Sequence, residues 1–242
     1  MKALVLAAGL GTRLKPFTDT IPKALVEING TTLLELVIIK LKKAGFNQII
    51  INVHHYADQI INFLESKNNF GIDINFSDER DLLLDTGGGL KKAAWFFNSP
   101  EPFLIHNVDI LSNINLERLV SFHKEMKKIS TLAVQNRISS RYFLFDEGKN
   151  LCGWKNEKSN EIKTARIPIG ELKQFAFSGI QIVDPRIFQY FPDDNVFSLV
   201  DLYLSIASKE QITYFEHTDS IFLDLGKKEN LAKAEKLITK IF

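Results

Sequence analysis

One cysteine, Cys152, stands in the 242 residues. A single thiol excludes an internal disulfide framework and a multi-cysteine zinc site, and it fits a reducing compartment. No stretch approaches about 18 apolar residues, so no membrane-spanning helix is expected. The apolar run from Ala3 to Ala8 is too short for a secretory signal, and Arg13, Lys15 and Lys23 follow it closely. Lys and Arg number 30 against 29 Asp and Glu, a net charge of +1, so nothing in the global balance draws the chain to nucleic acid or an anionic membrane. These absences predict a cytoplasmic protein with neither partner. Any anion it binds must be held by a local cluster.

Two familiar nucleotide loops are also missing. "LVLAAGLGTRLKPFTDTIPKAL" (4–25) breaks from an apolar run into glycines, but Leu14 stands where a dinucleotide fingerprint needs its third glycine. His54 occupies the place of the acidic residue expected after the second strand, and no G-K-[ST] triplet of a Walker A loop occurs.

What is present is an ordinary globular composition, 45% hydrophobic and 24% charged. Length and the lack of a linker predict one domain over 1–242. In the first half strand and helix signals alternate. "ALVLAA", "QIIINV" (48–53), "IDINFS" (72–77), "PFLIHNVDI" (102–110) and "STLAVQ" read as strands. Between them, Thr32 and Glu35 form a capping box for a helix over 33–44, and "ADQIINFLES", "LKKAAWFF" and "NLERLVSFHKEMKK" read as helices. That order predicts an α/β fold with a Rossmann-like, mostly parallel central sheet, helices on both faces and right-handed crossovers. The second half adds an antiparallel part: a hairpin around Glu147–Asn150, a polar excursion over 156–173, the long strand "FAFSGIQIVD" and a short helix opened by Pro185. After the helical stretch "SLVDLYLSIASK" come a pair of short strands, "ITYFEH" and "IFLDLG". A final helix carries Leu231, Ala234, Leu237, Ile238 and Ile241 on one face.

The first loop suits a triphosphate. A glycine turn leaving a buried strand lets backbone N–H groups approach an anion, and Gly9, Gly11 and Thr12 supply such donors. Arg13 adds a planar fork and Lys23 a mobile point charge, with Pro16 and Pro22 stiffening the arm between them. Asp109, ending an apolar strand, belongs at the carboxyl edge of the sheet where ligands collect. Together with Asp224 it would offer the two hard oxygen ligands that Mg²⁺ prefers beside phosphates, or each would merely cap a turn. No Ser/His/Asp or Cys/His catalytic pattern is present.

G-x-G-T-R followed by a P-K pair resembles the signature of the sugar-phosphate nucleotidyltransferases, and "GLGTRLKPFTDTIPKAL" carries it in full. The likeness runs from Met1 to the terminal helix. It implies the nucleotide-diphospho-sugar transferase fold, with 1–136 as the nucleotide-binding half and 137–242 as the sugar-binding half. "DTGGGLKKA" (85–93) and "IFLDLGKKENLAKAEKL" (221–237) look most like short uridylyltransferases acting on N-acetylmuramic acid 1-phosphate. Mannose- and heptose-1-phosphate guanylyltransferases share many of these features. The partners implied are a nucleoside triphosphate and a sugar 1-phosphate, the cofactor Mg²⁺, and the particle a monomer or small homo-oligomer.

By the same resemblance Ala7, Ala8, Gly9, Gly11, Thr12, Arg13 and Lys23 bind the nucleotide. Arg13 holds the leaving β- and γ-phosphates, Lys23 the α-phosphate, and Asp109 and Asp224 the metal. Arg13, Lys23 and Asp109 form the catalytic set. Thr86, Gly87 and Gly88, with Gly89, are expected as a turn whose backbone reads the base. No glutamine precedes them, which leaves uracil, guanine and thymine open. Lys155, Ser178 and Gly179 are expected at the sugar. Two departures, Val108 where glycine is usual and Trp154 in place of a glutamate, support the rival reading of a nucleotide or sugar-phosphate sensor that does not turn over.

Overall fold

The uninterrupted apolar start of the chain becomes the strand at the middle of a large sheet. The computed structural model describes residues 1–241. In chain order it begins with β1 (Lys2–Leu6), β2 (Glu27–Ile28), β3 (Thr31–Thr32), α1 (Leu33–Lys43), β4 (Gln48–Val53) and α2 (Ala57–Ser66). Then come β5 (Asp73–Asp78), α3 (Asp85–Lys92), β6 (Phe103–Asn107), β7 (Ile110–Ser112), α4 (Leu116–Met126) and β8 (Ser130–Gln135). The second half has β9 (Arg141–Phe145), β10 (Leu151–Asn156), β11 (Glu161–Thr164), β12 (Lys173–Val183), α5 (Leu199–Ile206), β13 (Ile212–Glu216), β14 (Phe222–Asp224) and α6 (Leu231–Ile241).

Ten strands form one sheet in the order β11-β10-β9-β12-β6-β1-β4-β5, with β8 joined to β12 and β13 to β8. From β6 to β5 every pairing is parallel, whereas β12 runs antiparallel to β6, β8 and β9. The N-cap half of the capping box is made, with the Glu35 N–H donating to Thr32 Oγ1 at 3.1 Å, while the Glu35 carboxylate pairs with Lys67 at 3.8 Å. Alternation along β1 sends its side chains to two separate cores. Ala3 and Val5 pack with residues of α1, α2 and α4, and Leu4 with residues of α3 and α5. A third cluster docks Ala234 and Ile241 of α6 against Leu14, Val26, Leu33 and Leu225, which ties the C-terminus to the first loop. Each fully buried leucine there contributes roughly 2–3 kcal/mol of transfer free energy.

Four expectations need correction. The strand read over 102–110 breaks after Asn107, and β7 leaves the main sheet to pair antiparallel with β14. The two short strands near the end do not pair with each other: β13 extends the main sheet beside β8, and β14 goes to β7. The segment opened by Pro185 is a 3₁₀ turn, Pro185–Tyr190. Within the polar stretch 156–173, Glu161–Thr164 form the edge strand β11, paired to β10.

Candidate active site

Both halves of the site lie at the carboxyl ends of β1 and β6, the neighbours at the centre of the sheet. A cavity of about 430 Å³ is lined by Leu6, Ala7, Ala8, Gly9, Lys23, Asn52, Glu79, Thr86, Val108 and Asp109, among others. A larger one, about 1040 Å³, is walled by Arg13, Arg137, Tyr142, Trp154, Ser178, Gly179, Phe222 and Asp224, among others. Asn107 and Asp109 line both.

Two buried side chains hold the first loop. Asn52 Oδ1 accepts from the N–H groups of Ala7 (2.6 Å) and Ala8 (3.3 Å), and Asn52 Nδ2 donates to Glu79 Oε1 at 2.7 Å. Glu79 Oε2 accepts from the Leu84 N–H at 3.2 Å. Burial pushes the Glu79 carboxyl above its usual value, and the Asn52 amide and Leu84 N–H partly offset this. The N–H groups of Ala7 and Ala8 are therefore already used, while Ala7, Ala8 and Gly9 still line the cavity. Beyond them Gly11 sits at φ 67° in the left-handed region, where a Cβ would lie 3.0 Å from the Thr18 side chain. Only glycine makes that corner without strain. The Thr18 hydroxyl closes the loop onto the Gly11 carbonyl at 2.8 Å. Thr12 and Arg13 follow in an exposed 3₁₀ turn, and Arg13 faces the larger cavity.

Asp109 occupies the break between β6 and β7, and pairing of β7 with β14 brings Asp224 beside it; the Leu225 N–H donates to the Asp109 carbonyl at 2.8 Å. Around the buried Gly226 three site residues converge. A Cβ there would lie 2.5 Å from a terminal nitrogen of Arg13, 2.9 Å from Asp224 Oδ1 and 3.0 Å from Asp109 Oδ2. The Gly226 N–H donates to Asp224 Oδ1 at 2.9 Å. Lys23 forms an ion pair with Asp109, both side chains being largely buried. The structure thus gathers Arg13, Lys23, Asp109 and Asp224 at the seam between the cavities.

The triple glycine is placed differently from the expectation. Gly87, Gly88 and Gly89 are turns of α3, not a loop before it. The N–H groups of Gly87 and Gly88 both donate to the Phe197 carbonyl, at 2.9 and 3.1 Å, which leaves them unable to read a base. A Cβ on Gly88 would lie 2.0 Å from the Asn195 carbonyl oxygen, so the small residues there admit a crossing strand of backbone. Thr86 does border the smaller cavity, but its hydroxyl accepts from the Leu199 N–H at 3.0 Å.

On the wall of the larger cavity, a register shift in the β12–β8 ladder between Phe177 and Gln181 accompanies the placement of Ser178 and Gly179 in that cavity's lining. His217 Nε2 lies 2.8 Å from Ser178 Oγ. Lys155 does not line the cavity; its ammonium pairs with Glu157 at 2.9 Å, and its neighbours Trp154 and Asn156 form the wall. Val108 is buried in the first core and also borders the smaller cavity. Sequence reasoning missed Asn52, Glu79, Asn107, Arg137 and His217. Asn52 alone carried a signal, a polar residue inside the otherwise apolar strand "QIIINV".

Two cations beside two carboxylates, at the carboxyl ends of the parallel strands of an α/β sheet, suit a class of protein that handles phosphate groups. The chain belongs to the nucleotidyl transferase family, whose sequence pattern matches residues 2–241. It is 40% identical over 221 residues to the N-acetylmuramate alpha-1-phosphate uridylyltransferase of Caulobacter vibrioides, covering 87% of this chain and 86% of that protein. It is 30% identical over 245 residues to the UTP–glucose-1-phosphate uridylyltransferase of Synechocystis sp.; 94% of this chain is matched, spanning 60% of that longer protein. HddC from Yersinia pseudotuberculosis, solved in complex with GMP-PN, shares the fold at a TM-score of 0.77 and 23% identity, over 98% of this chain and 99% of that one. This chain is accordingly an enzyme of the sugar-1-phosphate nucleotidyltransferase class.

Proposed function

We propose that the enzyme transfers a uridylyl group from UTP to N-acetylmuramic acid 1-phosphate in a cytoplasmic, Mg²⁺-dependent reaction. The observation that carries this is the convergence of Arg13, Asp109 and Asp224 on Gly226, where the two cavities share Asp109. The uridylyl and muramic acid assignments draw on the Caulobacter relative's named activity.

The acceptor phosphate is largely dianionic at neutral pH, its second pKa being about 6, so it attacks without a general base. One of its oxygens forms a bond to the α-phosphorus as the bond between that phosphorus and the bridging oxygen to the β-phosphate breaks. Pyrophosphate leaves with the electron pair. The chain's task is to bring two polyanions together and stabilise the charge that develops. Arg13 binds the departing phosphates. Lys23 exchanges its carboxylate partner for the α-phosphate, and the loop held by Asn52 fixes the triphosphate over β1. Asp109 Oδ2 and Asp224 Oδ1 are hard oxygens facing the same point, which suits Mg²⁺. When bound there, the ion would neutralise phosphate charge on both substrates.

The test is pyrophosphate release from a matrix of UTP, GTP, dTTP, CTP and ATP against N-acetylmuramic acid, glucose, mannose and heptose 1-phosphates. Release confined to UTP with the muramic acid derivative is the expected result. Release requiring GTP would replace the uridylyl reading with a guanylyl one. No release from folded protein that binds nucleotide would indicate a sensor.

A further inference from the structure

Arg137 follows β8 on the wall of the larger cavity, and nothing in the reaction outlined above uses it. One terminal nitrogen donates to the Phe177 carbonyl at 3.0 Å, and the guanidinium carbon lies 4.3 Å from the centre of the Phe222 ring. Its Nε is buried without a hydrogen-bond partner. Arg137 takes part in none of the ion pairs formed among the described residues. Burial lowers the guanidinium's pKa from its ordinary value, with Asp224 and Tyr142 only partly opposing that effect. A guanidinium has five N–H donors in a fixed fork. Here one is matched, one is buried and unmatched, and an aromatic face holds the plane still. Such a group is unfavourable until an anion completes it.

The neighbouring Ser178 points to the same kind of ligand. His217 approaches its hydroxyl through Nε2, while Nδ1 is buried without a partner. An orphaned acceptor is tolerated better than an orphaned donor, so Nε2 carries the proton and donates to Ser178 Oγ. The serine hydroxyl is then left to donate in its turn. Both groups belong to the lining of the sugar cavity, whereas the phosphate-handling residues converge at Gly226.

We infer that Arg137 recognises a carboxylate carried on the sugar itself, with Ser178 donating beside it, so that the acceptor is an acidic sugar 1-phosphate. The inference deepens and rests on the proposed nucleotidyl transfer. It assigns a specificity-determining role to a residue outside the phosphate cluster. A planar guanidinium meets a carboxylate through two parallel hydrogen bonds, which lysine cannot reproduce.

The test compares two acceptors that differ only by a lactyl ether: N-acetylmuramic acid 1-phosphate, which has the carboxylate, and N-acetylglucosamine 1-phosphate, which lacks it. Wild type is expected to favour the acidic acceptor by about 10²-fold or more in kcat/KM, the scale for a site whose polar groups are left unpaired by the poorer substrate. Arg137→Met should remove most of that preference, chiefly through KM, with a much smaller loss on the neutral acceptor. Arg137→Lys should restore only part of it. An equal loss on both acceptors would assign Arg137 to the shared phosphate and overturn the inference, as would an unchanged preference. Calorimetric binding of both compounds to wild type and to both variants separates the two proposals. If wild type turns over neither acceptor, the proposed reaction fails; the inference still requires tighter binding of the acidic compound that Arg137→Met abolishes. Equal binding in all proteins overturns it.

Discussion

Asn52 receives the Ala7 N–H at 2.6 Å while giving its own amide proton to Glu79 at 2.7 Å. A single side chain in β4 thereby joins the first loop to a buried carboxylate just past the end of β5. Asn52→Ala would leave two loop N–H groups and one Glu79 oxygen without their partner. The expected result is a loss of about 1–3 kcal/mol in stability by urea unfolding, together with a raised KM for the nucleoside triphosphate. Unchanged nucleotide KM would mean the loop holds its shape by itself.

Gly226→Ala tests the convergence of the site. The new methyl would fall on the side-chain ends of Arg13, Asp224 and Asp109, all of which can swing aside without disturbing the fold. Turnover should fall by about 10²-fold, the scale for small misplacements of catalytic groups, with little change in melting temperature. Full activity would show that Arg13 and the two carboxylates need not meet there.

Gly88→Ala makes the contrasting case, because its methyl would meet backbone, the Asn195 carbonyl. Overpacking of this kind costs roughly 1–3 kcal/mol, and it should shift Val196, which lines the smaller cavity. Thermal unfolding and nucleotide affinity should both worsen. A stable variant with weak nucleotide binding would restore Gly88 to direct contact with the base.

Asp109→Asn and Asp224→Asn should each reduce pyrophosphate release by at least about 10²-fold, the effect of one lost electrostatic contact at a reacting centre. Chelation with EDTA should abolish release in wild type without shifting the urea midpoint, and added Mg²⁺ should restore it. Turnover that persists in EDTA would remove the metal from the reaction.

Three buried imidazoles set the response to acid. His106 is held down to about 3, and His123 and His217 to about 4, burial being the main cause, with the Lys40 ammonium adding repulsion at His106 and His217. In the unfolded chain each binds a proton near the ordinary value of 6.5. Below that pH the unfolded state therefore takes up protons that the native state refuses, and stability falls as pH falls. Each histidine contributes a slope of up to roughly 1.4 kcal/mol per pH unit. Urea midpoints at pH 7.5, 6 and 5 should decline in that order; a flat series would mean the native imidazoles titrate normally.

Local signals in the sequence were enough to recover the parallel half of the sheet. Its strands β1, β4 and β6 are apolar runs and β5 alternates polar with apolar residues, and Thr32 with Glu35 marks a helix start that the structure contains. Asp109 and Asp224 could be singled out as types, but their meeting depends on the pairing of β7 with β14, a long-range contact that no periodicity encodes. The triple glycine was misplaced for a related reason. Glycine clusters usually mark turns, and here tertiary packing against the Asn195–Phe197 backbone overrode that preference. Lys155 lies one position from Trp154 and Asn156, which line the larger cavity, and on a strand one position is enough to exchange one face for the other. Arg137 offered no pattern at all: one arginine in a loop acquires meaning only when its missing partners are visible.

The eleven residues of β12 border β6 toward one end and β9 toward the other. The wall of the larger cavity and the strand that leads to Asp109 are consequently joined through one strand, β12, with no loose chain between them. Such a cleft works as a fixed gauge rather than a jaw. Loop 136–140 can be re-lined to suit a new acceptor while the spacing at the phosphorus end stays as it is, so a change of diet need not reset the chemistry.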